Sequence, residues 1–86
     1  MNINELIAIV KNKLEAEIII QNLKIEDKSF LHKNHKGHQE GKFHLKLTIK
    51  SDELFKLSKI TSTKKIYNIL KIELEEHIHS IQILFD

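Results

Sequence analysis

Three histidines recur at every third position in the stretch His32-Lys-Asn-His35-Lys-Gly-His38, and a fourth, His44, follows shortly after. The chain has six histidines in 86 residues, the others being His77 and His79, and it has no cysteine. Neutral imidazole is a good ligand for zinc, copper, nickel and iron, so the cluster invites a metal reading. Spacing alone does not choose between two or three converging rings and a solvated loop whose histidines merely titrate. His79 differs. It opens an apparent strand in phase with Ile81, Ile83 and Phe85, which predicts a half-buried ring held more rigidly than any loop side chain. That ring is either satisfied by backbone groups or kept as a preorganised ligand.

Other chemistries find little support. Without a thiol there is no Cys nucleophile, no Cys ligand and no disulfide. None of Ser29, Ser51, Ser58, Ser62 and Ser80 lies in a G-x-S-x-G setting. Gly37 and Gly41 are the only glycines, and neither opens a helix after a strand as a phosphate loop requires. Adjacent acids such as Glu75-Glu76 read as a solvated helix face. The expectation is a binding or carrier module and not an enzyme.

The elements that must position these residues follow from periodicity. Asn2 and Glu5 resemble a capping box. Behind them Ile3, Leu6, Ile7, Val10 and Leu14 form the stripe of an amphipathic helix. From Ile18 the pattern turns β-branched, and Leu23 and Ile25 alternate with Lys24 and Glu26 as a first strand. Residues 28–41 form a polar loop. Phe43, Leu45, Leu47 and Ile49 then alternate with His44, Lys46, Thr48 and Lys50, predicting a half-buried strand with one polar face. Ser51 or Asp52 can cap a short helix with Leu54, Phe55 and Leu57. A Ser/Thr cluster at 61–63 starts a longer helix with Ile66, Ile69, Leu70 and Leu74 inside. In that helix Lys64 and Lys65 stand near the start and Glu73, Glu75 and Glu76 near the end, opposing the helix dipole. His77 to Phe85 closes the chain as a strand. The order αββααβ predicts a single two-layer α+β domain over residues 1–86, a three-stranded mixed sheet with helices on one face.

Size and charge bound the function further. A domain this small buries only about 60–65% of its unfolded surface. Formal net charge is +2, with 14 basic and 12 acidic residues, and every basic residue is Lys. That balance suits nucleic acid poorly, since phosphate and guanine recognition leans on bidentate Arg. Residues 1–5 lack the charged-then-apolar run of a secretory signal, and no apolar run approaches the ~20 residues of a membrane span. The expected setting is soluble, intracellular and cytoplasmic.

Three runs together resemble the BolA family: "IEDKSFLHKNH" (25–35), "FHLKLTIKSDELF" (43–55) and "KKIYNILKIELEEHIHSIQI" (64–83). That family carries an acid-x-Ser-x-x-His-x-x-His loop, matched here by Ser29, His32 and His35. Its His-led strand ending in Ser is matched by His44 and Ser51, and its Val-Tyr helix by Ile66-Tyr67. Its final "iHAL" strand is matched by Ile78-His79-Ser80-Ile81. The resemblance implies a class II KH-like αββααβ domain. It further implies a monothiol glutaredoxin partner and a [2Fe–2S] cluster shared with that partner and glutathione. In that picture His79 is one ligand and His32 the loop ligand, with His35 its alternate and His38 at the surface. The isolated chain is then expected as a cluster-free monomer that forms a heterodimer with glutaredoxin. Iron–sulfur assembly, trafficking or iron regulation is the implied process.

The resemblance also admits a DNA-binding regulator, for which Lys56, Lys59, Lys64 and Lys65 are the candidate phosphate contacts. Here the chain departs from the family. Leu54-Phe55-Lys56 replaces Phe-x-Gly, Ser62-Thr63-Lys64 replaces Arg-His-Arg, and there is no GXXG loop. Ser80 stands where the "iHAL" motif has Ala. A stand-alone zinc or nickel site in the loop is a third expectation.

Overall fold

The computed structural model describes residues 1–29 and 42–86. The loop histidines His32, His35 and His38, and with them the loop ligand and the stand-alone metal site expected there, lie outside the described residues.

Helix α1 runs Ile3–Glu17. Asn2 caps it: its Oδ1 accepts from the Glu5 amide at 2.8 Å, and its Nδ2 donates to Glu5 Oε1 at 2.8 Å. The reciprocal bond thus runs from side chain to side chain, a variant of the capping box. Leu6, Val10 and Leu14 of the predicted stripe are fully buried. Removing such side chains from water contributes about 1.5–3 kcal/mol each, which is what holds a helix of this length.

Strand β1 (Asn22–Asp27) pairs antiparallel with β2 (Phe43–Lys50), and β2 pairs parallel with β3 (Ile78–Phe85), in sheet order β1-β2-β3. Parallel neighbours need a crossover, and the helices between β2 and β3 provide it. Leu45, Leu47, Ile49 and Ile78 meet Leu6, Val10, Leu14, Leu54, Ile66 and Leu70 in one apolar core. The two-layer α+β arrangement with a three-stranded mixed sheet is as expected.

The crossover meets expectation at its first cap and departs from it at two later points. Ser51 is the cap of α2 (Asp52–Phe55): its Oγ accepts from the Leu54 amide at 3.2 Å and donates to the Ile19 carbonyl at 2.7 Å. Helix α3 (Lys59–Ile69) begins at a Ser58 cap, ahead of the Ser/Thr cluster at 61–63. Ser62, from that cluster, is instead buried inside the helix and donates to the Leu54 carbonyl at 3.0 Å. The expected single helix also breaks at Leu70 (φ −98°, ψ 17°), giving a separate α4, Lys71–Glu76. Lys64 and Lys65 therefore sit mid-helix and Glu73 lies in the first turn of α4, while Glu75 and Glu76 still close α4 at its C-terminal end, against the dipole of that short helix. Glu73 is buried, and its Oε2 meets Lys13 Nζ of α1 at 2.7 Å, an ion pair that ties the first helix to the last.

Candidate functional site

The mouth of β3 is irregular. Phe43 is paired with Ile78, but its neighbour His44 is paired with Ser80, leaving His79 as an extra residue. This is a β-bulge, a device that bends a strand and re-aims a side chain. Its effect is legible in burial. Ile78 and Ile81 both pack on the core although they are three residues apart, so His79 and Ser80 both fall outside it. The expected phase of His79 with Ile81, Ile83 and Phe85 is therefore wrong. His79 is exposed on the open face of the sheet, and the half-buried ring predicted for it does not occur.

His44, by contrast, is buried at 5% exposure, on the face that the alternation marks as polar. Its Nδ1 lies 2.6 Å from Ser80 Oγ, and its Nε2 is also enclosed. The His44 and His79 rings meet edge-on, with centroids 4.8 Å apart and planes at 60°. Aromatic rings favour such offset or T-shaped contacts at this separation. The bulge thus brings His79 against a ring that is itself held by Ser80.

Backbone contacts tie the flanks of the loop to the same corner. The His44 amide donates to Ser29 Oγ at 3.0 Å, and the Lys28 amide donates to the His44 carbonyl at 2.7 Å. Ser29 is itself fixed by its amide, which donates to Asp27 Oδ1 at 2.9 Å. On the other side the Phe43 amide donates to the His77 carbonyl at 2.9 Å, and Lys42 Nζ reaches the Glu75 carbonyl at 3.3 Å. The chain enters and leaves residues 30–41 beside His44. Lys28 also bonds Glu26 at 3.0 Å, and that bond holds the Glu26 carboxyl below its ordinary pKa.

In chemical terms the corner offers one exposed imidazole on a fixed strand, backed by a second, buried one. Among the described residues no three His, Asp or Glu side chains gather closely enough to hold a metal ion. Among the described residues the corner therefore supplies a single accessible imidazole donor and not a complete coordination set. Sequence reasoning missed the His44–Ser80–His79 contact. A His leading a strand was the one available signal, because a bulge without glycine leaves no mark in the alternation.

The candidate lysines are dispersed. Lys56, Lys59 and Lys64 are exposed. Lys65 is half-buried and engaged, its Nζ 3.0 Å from Glu53 Oε2. That bond, helped by the Ile19 amide, lowers the Glu53 pKa. Lys59, Lys64 and Lys71 instead flank a shallow depression floored by Ile60 and Tyr67 on the outer side of α3. Among the described residues no helix is long and apolar enough to cross a membrane.

Comparison with known proteins identifies the fold and the family. A family model described as BolA-like protein matches residues 14–85. The fold resembles the BolA domain of SufE1 from Arabidopsis thaliana, with a TM-score of 0.78 and 28% identity over 100% of this chain and 93% of that one. It also resembles BolA1 from Arabidopsis thaliana (TM-score 0.75, 24% identity, 92% and 87% covered). BolA1 from Mus musculus shares the fold at TM-score 0.71 and 19% identity, with 90% and 60% covered. No curated protein matches the sequence. The chain belongs to the BolA-like family.

Proposed function

We propose that this BolA-like chain is a non-catalytic partner of a monothiol glutaredoxin, lending imidazole ligands to a [2Fe–2S] cluster that the two proteins share with glutathione. The observation that carries this reading is His79, exposed on a bulge and braced by the His44 ring. A ligand to a group held mainly by another molecule must be accessible and restrained, and His79 is exposed with the His44 ring against one side. The donor set fits as well: a chain without cysteine supplies imidazoles only, and the thiolates come from glutaredoxin and glutathione. His32, with His35 as alternate, is the proposed second ligand. When bound, the cluster supplies one-electron chemistry, and imidazole in place of thiolate raises its potential. In isolation the chain is a cluster-free cytoplasmic monomer.

The decisive experiment is reconstitution with a monothiol glutaredoxin, glutathione, iron and sulfide, followed by visible circular dichroism. His79→Ala is expected to abolish or reshape the spectrum of the mixed complex. A spectrum identical to that of the unsubstituted protein would remove His79 as a ligand.

A second reading, DNA contact, draws support from Lys59, Lys64 and Lys71 flanking Tyr67 on α3. Three phosphate contacts would give a slope of about −3 in log K against log salt. Absence of salt-dependent binding at low ionic strength would dismiss it.

A further inference from the structure

We infer that Ser80 and His44 form a positioning pair that sets the side-chain conformation of His79, an inference that rests on the ligand role proposed above. The pair has three supports. His44 is buried, and its Nδ1–Ser80 Oγ contact of 2.6 Å is at the short end of hydrogen-bond distances. The bond to Ser80 is directional, so it opposes rotation of the buried ring about its own axis. The ring so fixed presents its edge geometry to His79 at 4.8 Å and 60°, and rotation of His44 would change the surface against which His79 packs. The bulge supplies the third support, because it alone places residues 79 and 80 both outside the core, opposite the single residue His44.

Ser80 is the member at which this chain departs from the motif. The family motif has Ala at this position, and Ala has no hydroxyl to offer the buried ring. An exposed His on an ordinary strand samples several staggered rotamers, and ligation must then select one of them. A ring wall on one side removes part of that freedom before the ligand is engaged. Partners that bond a ligand directly are worth 10–100-fold in metal affinity. Ser80 acts one step further out, so its loss is expected to speed cluster release from the mixed complex by roughly 3- to 10-fold.

The test starts on the free protein, where no cluster is needed. With ¹³C,¹⁵N-labelled histidine, the χ1 coupling constants of His79 and the cross-relaxation between the His44 and His79 rings are measured. The unsubstituted protein, Ser80→Ala and Ser80→Thr are compared, with the amide spectrum reporting an intact fold. Rotamer averaging and weakened cross-relaxation are expected in Ser80→Ala, with recovery in Ser80→Thr, which keeps the hydroxyl. Unchanged coupling and cross-relaxation in Ser80→Ala would overturn the inference, as would a Ser80→Thr variant that behaves like Ser80→Ala. Cluster release from the glutaredoxin complex is then timed for the same three proteins. If the unsubstituted protein forms no such complex, the partner reading fails while the coupling constants still decide the positioning role. If the complex forms and Ser80→Ala releases its cluster at the unsubstituted rate, the positioning role fails and the partner reading stands.

Discussion

Strand β2 has two faces that do different work. Toward the helices it presents Leu45, Leu47 and Ile49, all at 2% exposure or less and surrounded by aliphatic side chains. On the opposite face Lys46 and Thr48 are half-buried and Lys50 is exposed, yet His44 is as hidden as a core residue. Burial on the first face is driven by removing apolar area from water and asks only for volume and shape. Burial of an imidazole gains less and demands hydrogen bonds, so His44 needs a dedicated partner where Leu47 needs none. The difference separates stability from site. The helix face determines whether the domain folds, while the open face spends a buried polar group on the geometry around His79.

The contrast can be broken by substitution, beginning with the core. Leu47→Ala should cost about 2–5 kcal/mol in urea-induced unfolding, because it leaves a cavity under the helices. The His44–His79 ring contact should survive under native conditions; its loss by NMR would mean that the two faces are not independent. Next in size is the ion pair in the helix layer. Lys13→Met strands the carboxylate of Glu73, which is buried and whose Oε1 has no hydrogen-bond partner among the described residues. A loss of about 1–3 kcal/mol is expected. Adding Glu73→Leu should recover most of that loss, since a buried pair is replaceable by apolar volume. If the double variant is no more stable than Lys13→Met, this account of Glu73 is wrong.

On the open face the stability effect should be small, and the proposed cluster is where the effect should show. His79 is exposed, and His79→Ala should shift stability by no more than about 0.5 kcal/mol while abolishing or reshaping the spectrum of the reconstituted complex. A large stability loss would instead mark His79 as structural. The smallest effect concerns pH. The Glu53 pKa is lowered in the folded state by its hydrogen bond to Lys65, with help from the Ile19 amide. A lowered carboxyl contributes stability that is present above its ordinary value and lost as pH falls through the folded one. Stability should thus decline from about pH 5 downward, slightly less steeply in Glu53→Gln, as thermal melts across that range would show. A steeper decline in the variant would reverse the sign and refute the assignment.

Particular residues show how much was legible beforehand. The α1 stripe placed Leu6, Val10 and Leu14 in the core, and the alternation of β2 gave both the strand and its buried face. Ser51 was readable as a cap. The start of α3 was misplaced because Ser58, Thr61, Ser62 and Thr63 are all plausible caps, and only packing decides which hydroxyl turns outward. The break at Leu70 was invisible, since its side chain fits the inner stripe of an unbroken helix as well as the junction it occupies. His79 stood out from its place at the mouth of a strand, and its exposure was misjudged because the period-2 rule assumes an unbroken pleat.

What the sequence determined by itself was therefore the order of elements, the apolar faces and the set of imidazoles, because local periodicity and residue chemistry encode them directly. Tertiary structure decided the rest. Parallel pairing of β3 with β2 places Phe43 opposite Ile78 and His44 opposite Ser80, and accommodating both extrudes His79. That single offset depends on strands some thirty-five residues apart and on the core that holds them in register. No local pattern could announce it, and it is what turns His44, Ser80 and His79 into neighbours.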